Sequence, residues 1–208
     1  MLALSEELYK SLLARYIDQI AKLAKKTIDT YQKEWVVVHE ALQNALDAIY
    51  LSQKPTGIIE IILDVAGNNV QVFDNGVGFP QDRKYLVLGA TDKDRYLTTR
   101  REVLGNIGVG LKTVLLSSKE FHIESVRDGF KWQITVKDGY KFLLGELDKT
   151  IIIEGPKTPL EKESYTIIRY IFPDIKDPRF PRVVDLLNHI YEVVWKPVSY
   201  THLTLPTN

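Results

Sequence analysis

The hydrophobic pattern alternates between helical and strand periods along the chain. From residue 6 to 30, apolar side chains fall at helical spacing: Leu8, Leu12, Leu13, Tyr16, Ile17, Ile20, Leu23, Ala24 and Ile28. Ser5 followed by Glu6 and Glu7 suits the start of that helix. A second helix is predicted from about Gln32 to Ser52, and Lys54-Pro55-Thr56-Gly57 breaks it. The β-branched run Ile58, Ile59, Ile61, Ile62 and Val65 reads as a buried strand. A second strand ending at Asp74 follows a Gly67-Asn68-Asn69 turn. Residues 79–107 are irregular and rich in charge and threonine, and a loop of that length is usually functional. Gly108 to Ser117 reads as a short helix opened by glycines.

Asp128-Gly129 and Asp138-Gly139 are both two-residue hairpin signals. They predict a meander of strands at 121–127, 130–137 and 140–147, with a fourth strand at 150–155. Glu161–Phe172 and Pro181–Trp195 read as helices. Helices gathered before and after a mostly antiparallel sheet predict an α/β (α+β) two-layer sandwich, with the helices on one face.

Composition narrows the class. With 208 residues, 45% of them hydrophobic and 26% charged, the chain can build one soluble domain with a real core. Lysine plus arginine and aspartate plus glutamate both number 27, so no basic field points to nucleic acid and no acidic tail is present. Cysteine is absent, which excludes disulfides and thiolate metal sites. No apolar run reaches the roughly 18–20 residues that cross a bilayer, and the N-terminus lacks a signal pattern. A cytoplasmic protein without membrane contact is the expectation. Val198 to Thr207 carries no charged residue and neither period. It reads as a translated sequencing-adapter end, so residues 198–208 are set aside and the protein is expected to continue past Pro197 into further domains.

Three segments carry candidate chemistry. In His39–Ala48, Glu40 and Asn44 lie four apart and share a helix face with Asp47. A carboxylate beside an amide can activate water and give a hard oxygen to Mg2+; an ordinary amphipathic helix with solvated polar groups has the same pattern. In Val72–Pro80, a strand ends at Asp74, and Gly76 and Gly78 let the backbone turn and approach another group. Such a carboxylate can accept from an amine, and Asp-Asn-Gly is also common turn chemistry. In Gly105–Val114, Gly105, Gly108 and Gly110 precede a helix, whose free N–H groups favour an anion. The GK[ST] ending of a Walker loop is absent, and no βαβ unit surrounds these glycines.

In this order, the segments resemble the N, G1 and G2 boxes of the GHKL (Bergerat-fold) ATPases, over about residues 31–155. That superfamily includes gyrase B subunits, the ninety-kilodalton heat-shock chaperones, MutL and MORC proteins and histidine kinases. ExxxNxxDA stands as Glu40, Asn44, Asp47 and Ala48; DxGxG as Asp74, Gly76 and Gly78; GxxGxG as Gly105, Gly108 and Gly110. The resemblance implies ATP and Mg2+ as ligands. It implies Asn44 as metal ligand, Glu40 as the base that activates water, and Asp74 as holder of the adenine amine, with Asp47, Gly76 and Gly78 completing those boxes. The glycines, with the neighbouring amides of Val109 and Leu111, would cradle the phosphates; Lys112 would touch a phosphate or stand as a solvated helix lysine. Residues 79–107 would be an ATP lid, with Thr91 in its Gly89–Lys93 stretch, and Thr150 would support the adenine site although Lys149 replaces the usual glycine.

This implies an N-terminal helix at 1–30, an ATP-binding core at 31–155, a helical C-terminal part at 156–197, and the set-aside residues 198–208. The expected activity is ATP hydrolysis in the gyrase, chaperone, MutL and MORC branch, with ATP closing the lid and driving homodimerisation in which the N-terminal helix can take part. The alternatives are a histidine kinase catalytic domain, disfavoured because residues 1–38 contain no histidine, and a non-hydrolysing nucleotide switch. The client or nucleic-acid partner is not readable from the residues.

Overall fold

The computed structural model describes residues 33–82, 110–147, 150–160, 162–176, 180 and 182–194. The expected helix at 6–30, most of the 79–107 loop and the final residues lie outside that set.

The first described helix, α1 (Lys33–Ser52), matches the expected one. It stops where Gln53 turns left-handed at φ 53° and the Ser52 hydroxyl donates to the Ile49 carbonyl. Strands β1 (Ile59–Asp64) and β2 (Asn69–Asp74) form the expected hairpin, but β1 is an edge strand and not the buried one expected, with Ile58, Ile61, Ile62 and Val65 exposed. Asp64 accepts from the Gly67 amide and the Asn69 side chain across its turn. Next come α2 (Gly110–Ser117), β3 (Glu120–Arg127) and β4 (Phe130–Lys137). The β3–β4 turn has Asp128 at φ 53° and Gly129 at φ 77°, the two positive φ values that a tight Asp-Gly hairpin needs.

The second Asp-Gly pair behaves differently, and the strand expected at 140–147 is not formed. Asp138 is left-handed, but Gly139 is not, and Gly139–Leu144 is a short helix, α3. Packing decides this. A Cβ on Gly139 would lie 2.3 Å from the Leu115 carbonyl oxygen, so the glycine lets α3 press onto α2. The place beside β4 is taken instead by β5 (Ile151–Glu154), with β6 (Thr158–Pro159) pairing farther along β4.

The helix expected at Glu161–Phe172 is also corrected. Tyr165–Ile171 is a strand, β7, and it runs through the middle of the sheet. Thr166, Ile168 and Tyr170 point into the core while Arg169 is exposed, which is strand periodicity. The closing helix, α4 (Val183–Val194), agrees with expectation.

The strand order is β1-β2-β7-β3-β4-β5, with every described pairing antiparallel. The helices lie on one face, over a core that includes Ala41, Ala45, Val70, Val114, Phe121, Ile123, Trp132, Ile134, Tyr170 and Leu186. Asn68 ties hairpin to helix: its side-chain oxygen accepts from the Val183 amide at the start of α4. The whole is the expected two-layer α+β sandwich. Among the described residues, no helix is long and apolar enough to cross a membrane.

Candidate functional site

The site begins on α1. Ala41 and Ala45 are buried against the sheet, and the small side chains let helix and strands approach closely. Glu40, Asn44 and Asp47 occupy an adjoining stripe within an arc of about 60°. Glu40 and Asn44 are half-buried, and Asp47 is buried. His39, next to Glu40, is exposed.

The loop after β2 is joined to the end of α1. The Val77 amide donates to the Ala48 carbonyl over 3.1 Å. A Cβ on Gly76 would fall 2.4 Å from the Ala48 carbonyl carbon, so only glycine fits there. Gly78 has φ 82°, and a Cβ on it would meet the Val126 carbonyl oxygen at 2.4 Å. The loop is thus wedged between α1 and the end of β3. The Ser125 hydroxyl accepts from the Phe79 amide at 2.8 Å and holds it there. Asn75 braces the loop against the entry to β1, accepting from the Ile58 amide and donating to the Thr56 carbonyl through its side chain.

Asp74 sits at this junction, 5% exposed, at the end of β2. Its carboxylate accepts from the Gly76 amide at 2.9 Å and from the Thr166 hydroxyl. Burial pushes its pKa up to about 7, against the lowering effect of those two donors and of the Lys54 charge. A carboxylate held in this way can accept from a buried amine and can be neutralised near neutral pH.

Thr166 is the residue that sequence reasoning missed. It stands directly opposite Asp74 in the β2–β7 register and is 3% exposed. The expected threonine, Thr150, is not brought to Asp74. It precedes β5 at the far edge of the sheet, four strands from β2, or roughly 19 Å at the usual strand spacing. The available signal was the alternation of Thr166, Ile168 and Tyr170, which marks a strand whose inward positions begin with a polar residue.

The third segment is described in part. Gly110 opens α2, Leu111 is buried in the core, and Lys112 follows on the same helix. This helix packs against α1, so its first turn lies in the layer that carries Glu40, Asn44 and Asp47. Thr91, Gly105, Gly108 and Val109 lie outside the described residues. The structure therefore brings together α1, the Asp74–Gly78 loop, Thr166 and α2.

No protein-family model and no curated protein sequence matches the chain. Solved structures do match it. One is the ATPase and transducer domains of DNA topoisomerase II from Balamuthia mandrillaris, with a TM-score of 0.50 and 21% identity over 76% of this chain. The chain has a GHKL-like fold. It spans 42% of that neighbour's chain. The likeness concerns the fold, an antiparallel sheet with its helices on one side.

Proposed function

We propose that this chain binds ATP with Mg2+ and hydrolyses it, in the manner of the gyrase, heat-shock chaperone, MutL and MORC branch of GHKL proteins. The observation that carries the reading is the buried Asp74–Thr166 pair facing a glycine turn that is locked to the helix bearing Glu40, Asn44 and Asp47. Support comes from the fold of the topoisomerase II neighbour, a structure of ATPase and transducer domains.

The residues present fit such a ligand. In its charged form, Asp74 accepts from the exocyclic amine of adenine, and Thr166 orients that carboxylate. Gly76 and Gly78 hold the backbone against the base, with no side chain in between. Asn44 offers an amide oxygen, a hard ligand for Mg2+, and the remaining ligands are phosphate oxygens and water. When bound, that ion neutralises charge on the phosphates. The amides of Gly108, Val109, Gly110 and Leu111 receive phosphate oxygens, and Lys112 adds a cation. Glu40 takes a proton from the water that attacks the terminal phosphate. The loop containing Thr91 and Gly105 closes over the nucleotide. The dimeric state expected for this branch would place two such sites in one assembly.

The test is calorimetric titration with a non-hydrolysable ATP analogue, with and without Mg2+, paired with phosphate release from ATP. Glu40→Ala should keep binding and lose turnover by about 100-fold or more. Transfer of phosphate to protein instead of water would favour a kinase. Binding without turnover in the unaltered chain would favour a nucleotide-driven switch.

A further inference from the structure

Strand β1 is an outer strand of the sheet, and among the described residues nothing pairs with its free side. The Ile58 carbonyl accepts from the Asn75 amide, and the Ile58 amide donates to the Asn75 side chain, so the backbone of Ile58 faces β2. That direction alternates along a strand. The backbone groups of Glu60, Ile62 and Asp64 therefore also face β2, and those of Ile59, Ile61 and Leu63 face outward. The side chains at this edge are apolar too: Ile61 is 39% exposed and Ile62 is 52% exposed. An open edge of this kind is a template for another strand. Lysine, proline and a bulge, which commonly guard such edges, are absent from Ile59–Asp64.

The two acids of the strand select the partner and the register. Directly opposite residues share a face, so Ile59, Ile61 and Leu63 stand on the helix side with Asp74, Val72 and Val70, and Glu60, Ile62 and Asp64 stand on the open side. A second β1 can pair antiparallel with the first about a two-fold axis. An axis at Glu60 sets Glu60 against Glu60, and an axis at Ile62 sets Glu60 against Asp64; both oppose like charges. An axis at Ile59 or Leu63 leaves half or more of the strand unpaired. An axis at Ile61 sets Ile61 against Ile61, Ile59 against Leu63 and Glu60 against Ile62. It opposes no two acids, and it joins the outward backbone groups to each other along the strand. The edge is thus complementary to itself in one register.

We propose that β1 is an interface between two copies of this chain, which pair antiparallel about Ile61 so that one sheet runs through both. This rests on the fold and on the β1 register, and it does not need the ATPase reading. The two Ile61 side chains meet on the helix side, and the partner's Ile62 covers the aliphatic part of Glu60. A strand pair of this length is a weak contact by itself. At low concentration the chain is a single copy, and pairing sets in as concentration rises, with no nucleotide required.

The chain has no cysteine, so introduced thiols report the register. Glu60 and the partner's Ile62 would form a non-hydrogen-bonded pair with Cα atoms about 4.5 Å apart, within disulfide reach. Two copies of Glu60, or of Ile62, would be diagonal neighbours at roughly 7–8 Å, beyond that reach. Full-length Glu60→Cys and Ile62→Cys proteins, mixed under mild oxidation without nucleotide, should give disulfide-linked dimers. Each alone should give about fivefold less or fewer still. In sedimentation equilibrium without nucleotide, the unaltered chain should approach a dimer as concentration rises. Ile61→Lys, which sets like charges against each other on the axis, should raise the dissociation constant about tenfold or more. Its urea midpoint should hold, and Ile61→Thr, neutral and β-branched, should fall between the two. An absence of links in the mixture, or equal linking in each single variant, overturns the proposal. So does an unaltered chain that stays single at every concentration, a folded Ile61→Lys protein that pairs as before, or growth past the dimer through β1 meeting β5. The ATPase reading stands in each of these cases, because its own test is turnover.

Discussion

Asp74 shows what a buried carboxylate costs its own fold. A carboxylate 5% exposed at the end of an interior strand loses most of its hydration, and two donors do not replace it. Its pKa of about 7 lies above the ordinary value of 3.8. Between those values the folded chain holds a proton that the unfolded chain has released. By linkage, stability contributed at this residue falls as pH rises from about 4 to 7, and stays low above that. Asp74→Asn removes the charge and keeps the shape. We expect the variant to be more stable than the parent at pH 8 by about 2–4 kcal/mol. Most of the advantage should be gone near pH 4, where the folded parent is protonated and the unfolded parent about half so. Urea denaturation at the two pH values checks this, and an equal gain at both would contradict the assigned burial. The same variant should lose the ATP analogue, because an amide offers its carbonyl oxygen without the charge. A residue retained at a cost to stability is most simply retained for a ligand.

At the scale of elements, the β2–β7 pairing does the organising. It sets Thr166 opposite Asp74 and Tyr170 opposite Val70, so one strand joins the site to the core. Thr166→Val should weaken analogue binding about tenfold through loss of one hydrogen bond to a charged group. Thr150→Val, at the far edge, should leave binding unchanged. Titration of both proteins checks the assignment, and a reversed result would return the adenine-supporting role to Thr150. The same strand explains what could and could not be read beforehand. Helix α1, the β1–β2 hairpin and the β3–β4 hairpin were legible because Glu40, Asn44 and Asp74 sit in segments with one period and a clear stop. β7 was not, because Leu160, Glu161, Lys162 and Glu163 lead into it with helix-forming composition, and the β-branched alternation begins only at Thr166. The Asp138-Gly139 pair misled for a different reason. The dipeptide permits a hairpin, but contact of Gly139 with Leu115, far away in sequence, selects a helix. Tertiary contact overrode local turn chemistry, and no local pattern reports it.

For the whole molecule, the consequence lies in how separate segments meet. Glu40 and Asn44 come from α1, Asp74 from β2 and Thr166 from β7, and Gly110 opens α2. Ties between these pieces include the β2–β7 pairing, the Val77–Ala48 hydrogen bond and the Ser125–Phe79 bond. A nucleotide spanning them would add links between segments, and binding to the folded state alone stabilises it by mass action, by about 2.7 kcal/mol at 100 times Kd. A ligand touching only the adenine end would do so equally with or without its terminal phosphate. A ligand that also reaches the start of α2 would not. We therefore expect the ATP analogue to raise the melting temperature by more than ADP does, with Mg2+ required for the difference. The proposed dimerisation should follow the same order, with the analogue shifting sedimentation towards a dimer and ADP leaving the chain as it was. Equal effects of the two nucleotides would mean that the terminal phosphate is not sensed. The fold would then work as an adenine-binding module, and the hydrolytic role given to Glu40 would have no substrate to act on.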